Sequence, residues 1–102
     1  MTEIRQTEQF TDWFDRLRDR DARARIDVRI RRLSLGNPGD VKPVGAGVSE
    51  LRIDYGPGYR IYFVRFGEDV ILLLAGGDKR TQAQDIQNAI ELVRVLRETL
   101  NE

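Results

Sequence analysis

The chain has 102 residues, with seventeen basic and seventeen acidic side chains, no cysteine and no histidine. The missing cysteines exclude a disulfide framework and thiolate metal sites, and the missing histidines remove the usual base at neutral pH and the commonest metal ligand. No apolar run approaches the roughly 18 residues of a membrane span, and Met1-Thr2-Glu3 lacks the basic and apolar start of a signal peptide. A single domain over residues 1–102 is expected, cytoplasmic, with no metal, no cofactor and no membrane partner. The balanced charge hides an imbalance of type, since only Lys42 and Lys79 are lysines and the other basic residues are arginines. Arginine is the better planar fork for phosphate, so any case for nucleic acid has to rest on local clustering.

Thr2 to Gln6 is short, and Ile4 suits it to an edge strand. Thr7 is placed to cap a helix in which Phe10, Trp13, Phe14 and Leu17 follow at i, i+3, i+4 and i+7, an apolar stripe that reads as core packing. Asp19-Arg20-Asp21 links to a second helix whose buried face is Ala22, Ile26, Ile30 and Leu33. Its other face carries Arg23, Arg25, Arg29, Arg31 and Arg32. Asp19, Asp21 and Asp27 are interspersed there, so a solvated face is expected rather than an RNA-binding stripe. Gly36 fits a C-cap, and Asn37-Pro38-Gly39-Asp40 is a turn cluster. Lys42-Pro43-Val44 and Gly45-Ala46-Gly47 read as a flexible approach to the first main strand, without the glycine spacing of a nucleotide-binding loop.

Gly47 to Gly77 reads as a meander of three strands. Ser49 to Tyr55 alternates, with Leu51, Ile53 and Tyr55 on one side and Glu50, Arg52 and Asp54 on the other. Gly56-Pro57-Gly58 separates it from the aromatic and β-branched run Tyr59 to Phe66, and Gly67-Glu68-Asp69 leads to the apolar run Val70 to Ala75. Leu51 and Ile53 should share a face with Ile61 and Phe63. The opposite face then carries Arg52, Arg60 and Tyr62, and the third strand delivers Lys79 and Arg80. Thr81-Gln82-Ala83-Gln84 fits a capping box for a last helix, whose stripe of Ile86, Ala89, Ile90, Val93, Leu96 and Leu100 should pack on the sheet's apolar face. The expected class is α+β: a small, mostly meander antiparallel sheet with an N-terminal helical hairpin and a C-terminal helix packed on one face.

The stretches GVSELRIDYGPGYRIYF and VILLLAGGDKRTQAQDIQNA resemble the RelE/ParE superfamily of toxins, most closely its phage Gp49-like, HigB-like branch of addiction-module killer proteins. The likeness extends to FTDWFDRLRDRDARARI and GNPGDVKPVGAGVSELR, almost end to end. It implies a type II toxin held by a co-expressed helix-turn-helix antitoxin. In RelE-like members the exposed sheet face cuts mRNA on the ribosome; in ParE-like members the same fold poisons DNA gyrase, which makes a non-enzymatic binding toxin the alternative. By the resemblance Arg60 in GYRIYF matches the strand arginine of the RelE-like site and Arg80 in GDKRT the arginine after the last strand, with Lys79 and Lys42 as weaker matches. Ile86 stands where RelE-like enzymes have a late aromatic acid/base.

Cutting RNA by attack of a 2′-hydroxyl on the adjacent phosphate needs a base, charge stabilisation on the phosphorane and a proton for the leaving oxygen. Guanidinium forks suit the middle task. Arg60, Lys79 and Arg80 are the expected catalytic residues, and Lys42, Arg52, Tyr62 and Gln82 the expected RNA-binding ones. Glu50, Asp78 and Asp85 are further proton-transfer candidates. Against this, Arg52 and Arg60 have a purely structural use in pairing with Glu50 or Asp54 across strands.

Overall fold

A computed structural model describes residues 1–100. In chain order the elements are β1 (Glu3–Gln6), α1 (Glu8–Arg16), α2 (Arg20–Ser34), β2 (Val41–Gly45), β3 (Val48–Ile53), β4 (Tyr59–Phe66), β5 (Val70–Gly77), a 3-10 turn (Lys79–Thr81) and α3 (Gln82–Leu100). The five strands lie in the order β1-β5-β4-β3-β2. β2 to β5 form an antiparallel meander, and β1 joins β5 in parallel. The expected α+β class stands.

Local chemistry sets the boundaries. The Thr7 hydroxyl accepts from the Phe10 N–H at 3.1 Å and donates to the Leu74 carbonyl at 2.7 Å, so one side chain both starts α1 and ties it to β5. Asp19 caps α2 by accepting from the N–H groups of Asp21 and Ala22. At its far end Asn37 N–H reaches Arg32 O and Gly36 N–H reaches Leu33 O, a Schellman closure that needs the positive φ of 85° at Gly36.

Two expectations change here. Lys42-Pro43-Val44 is not a loose approach but part of β2, an edge strand in which Pro43 needs no outward N–H. Ala46 and Gly47, both at positive φ, turn it tightly into β3. Nor does Thr81 open a capping box. Asp78 caps the 3-10 turn through Arg80 N–H, while Thr81 donates to Asp85 and Gln84 to Asn88.

The sheet is covered on both faces. Leu51, Ile53, Ile61, Phe63, Ile71 and Leu73 pack with Phe10, Ile26 and Leu33 of α1 and α2. Val48, Tyr62, Val64 and Leu74 pack with Ala89 and Val93 of α3. The last helix therefore lies on the face opposite the hairpin, not on the face of Leu51 and Ile53. The reason is visible in β4 and β5, whose alternate residues are apolar on both sides and leave a second face to bury. None of the described helices is long and apolar enough to cross a membrane.

Candidate functional site

At the N-terminal end of α3, polar side chains converge on Glu50. In the β3–β4 register Glu50 is opposite Tyr62 and Arg52 opposite Arg60, so these four share the α3 face. Lys42 lies opposite Glu50 on β2 and belongs to the same face. Gln82 reaches in from the first turn of α3.

Glu50 is fully buried. It accepts from Arg52 Nε at 2.9 Å, Tyr62 Oη at 3.1 Å and Gln82 Nε2 at 3.0 Å, and Arg60 Nε stands 3.8 Å away as an ion pair. Burial alone would raise its pKa, but the hydrogen bonds from Arg52, Gln82 and Tyr62 outweigh it and hold the carboxyl below its ordinary value. Tyr62 moves the other way. Burial first, then the adjacent Glu50 charge, pushes its phenol well above the usual range, so it is a fixed donor rather than a proton shuttle.

The two arginines differ in what they leave available. Arg60 has a side chain only 8% exposed, gives one Nη1 bond to the Tyr59 carbonyl, and keeps a buried Nε without a hydrogen-bond acceptor. Arg52 is 32% exposed and bonds Glu50 through its Nε, which leaves its two terminal nitrogens without a hydrogen-bond partner among the described residues. The accessible guanidinium is therefore that of Arg52, with exposed Lys42 on the neighbouring strand, and Arg60 lies buried beneath.

Lys79 and Arg80 belong to a neighbouring lobe. The Lys79 stem lies against Gly58, where an added Cβ would come within 2.9 Å of it. Arg80, 80% exposed, is paired with Asp78 at 2.8 Å. No hydrogen bond or ion pair among the described residues joins either of them to the Glu50 cluster. The sequence-predicted set is thus divided: Arg52, Arg60, Tyr62 and Gln82 meet at one carboxylate, Lys42 flanks them, and Lys79 with Arg80 stands apart.

Asp85 lies near the cluster without a hydrogen bond to it. Its carboxylate lies over Gly77, where an added Cβ would come within 2.0 Å of Oδ2, and it accepts from Thr81 at 2.6 Å. Gly77 is opposite Arg60 in the sheet, so Asp85 sits over the Arg60 row.

A model of the family described as phage-derived protein, Gp49-like, matches residues 12–96. The chain belongs to that family. It is also similar to an uncharacterized protein of Haemophilus influenzae, 45% identical over 94 residues that cover 92% of this chain and 95% of the relative. The matched span contains the second half of α1, all of α2, β2 to β5 and most of α3, so every residue of the Glu50 cluster falls within it. A toxin-like module is compatible with this membership.

Proposed function

We propose that the protein is the toxin of a type II toxin–antitoxin pair and that it cleaves mRNA on the ribosome. The observation that carries this reading is the Glu50 cluster. A buried carboxylate surrounded by two guanidinium groups is a poor way to stabilise a small domain, because desolvating the charges cancels much of their attraction. Such a cluster, opening to solvent through Arg52, has a better use as a preorganised anion site.

In this reading Glu50 takes no proton. It fixes Arg52 from the Nε side so that the terminal nitrogens meet the phosphate, and Arg60 lends positive potential from beneath. Lys42 and Gln82 flank the RNA backbone, and Lys79 and Arg80 hold the strand farther along. Glu50, held ionised and occupied by donors, and Tyr62, held protonated, leave the proton steps to the message's own alignment in the ribosome. The partner that holds this activity in check would be a helix-turn-helix antitoxin. The same lack of a proton-transfer group favours the second reading, a toxin that binds a target such as DNA gyrase without chemistry.

Induction of the chain without its partner, followed by primer extension on translated messages, tests the choice. New breaks within codons are expected. Intact messages with accumulating gyrase-linked DNA breaks would replace the nuclease with the binding toxin, and unimpaired growth would remove the toxin reading.

A further inference from the structure

The free edge of β1 and the groove beside it form a second surface, distant in sequence from the Glu50 cluster. The Glu3 N–H donates to Asp69 O and the Thr7 N–H to Leu73 O, which fixes the alternation along the strand. Residues 3, 5 and 7 direct their backbone groups at β5, and Ile4 and Gln6 direct theirs outward. Both flanking side chains, Glu3 and Arg5, are exposed, and in the single chain they bond only to each other, at 2.8 Å with 55% and 66% of their surfaces open. An exposed edge usually carries charges that repel a second strand. Here the two charges are opposite in sign and symmetric about Ile4.

We propose that this edge is a self-association surface for a second copy of the chain, paired antiparallel about a two-fold axis at Ile4. In that register Ile4 faces Ile4 of the second copy and exchanges two backbone hydrogen bonds with it. Glu3 faces Arg5 and Arg5 faces Glu3, as the non-hydrogen-bonded pairs whose side chains stand closest. The Thr2 N–H is already held by Ser34 O, so the backbone pairing is confined to the residues around the axis, Glu3 to Arg5. The contact is isologous and closes after two copies, so it extends the sheet to ten strands without making a fibre.

The groove gives the pairing an apolar component. Arg5, Phe66, Val70, Leu72 and Leu100 line a depression of about 380 Å³ along the α3 side of this edge, and Leu100 is 71% exposed. A second copy seated on β1 brings its own groove alongside and removes both Leu100 side chains from water.

Sedimentation equilibrium on the full chain and three variants tests the proposal, with far-UV circular dichroism to confirm folding. The wild type is expected to be dimeric at micromolar concentration. R5E alone places like charges at both ends of the pair and should weaken association at least tenfold, as should E3R. Combining E3R with R5E restores opposite charges in the reversed order and should restore the dimer. A monomeric wild type, a dimer indifferent to R5E, or a double variant no better than the singles would overturn the assignment.

Discussion

Replacing Glu50 by glutamine keeps its shape and an oxygen for the Tyr62 hydroxyl, but removes the charge opposite Arg60. Arg52 is 32% exposed and can turn to water; Arg60 is 8% exposed and cannot. Stranding a buried cation typically costs about 3–5 kcal/mol. The lower end applies here, because the Arg60 pair is long at 3.8 Å and Nη1 keeps its bond to Tyr59 O. A loss of ~3 kcal/mol in a domain of this size lowers Tm by roughly 12–24 °C. Adding Arg60→Met in the Glu50→Gln background removes the stranded charge and should recover at least half of the loss. The four proteins form a double-mutant cycle, read by urea denaturation at neutral pH, with an expected coupling of at least about 1.5 kcal/mol. If Glu50→Gln costs under about 1 kcal/mol, or the two changes add without coupling, the cluster is not held by the Glu50 charge.

Acid should reveal the same carboxylate. Because its folded pKa is depressed, the stability it contributes is complete above its unfolded value of about 4.3 and is lost as pH falls through the lower folded value. Urea midpoints measured down through this range should decline for the wild type and decline less for Glu50→Gln. Gly76→Ala would set a Cβ 2.1 Å from the Trp13 ring, which cannot yield without moving α1, so a cost of about 1–3 kcal/mol is expected in thermal melts. Thr7→Ala removes the α1 cap and its bond to Leu74 O and should cost about 1–2 kcal/mol by the same assay, with growth inhibition by the folded fraction unchanged.

What the sequence disclosed followed from periodicity and from caps. The Phe10-Trp13-Phe14-Leu17 stripe, the Thr7 cap, the Gly36 stop and the alternation of Leu51 and Ile53 with Glu50 and Arg52 each have one physical solution, and the structure adopts it. Val41 to Gly45 escaped because Pro43 and three nearby glycines hide an edge strand whose pairing is fixed only by β3. The side taken by α3 escaped because Tyr62 was read as lying on an open face with Arg52 and Arg60, whereas β4 is central and buried on both faces. That error bears on the site, since the face of Arg52 and Arg60 is the one on which α3 packs. Glu50 as the point of convergence was partly legible: Glu50 and Arg52 alternate on one strand, and aligning them with Tyr62 and Arg60 across a hairpin places the four together. Gln82 entering from α3, and Lys79 and Arg80 turning to Gly58 and Asp78, depend on the geometry of the 3-10 turn, for which local sequence carries little signal.

The most direct test of the central claim is 5′-end mapping of a message translated by purified ribosomes with the isolated protein, set beside its Arg52→Ala variant. Breaks within codons are expected that require translation and that vanish with Arg52→Ala while the variant stays folded. Messages left whole by the wild type, or cut equally well without the Arg52 fork, would contradict it.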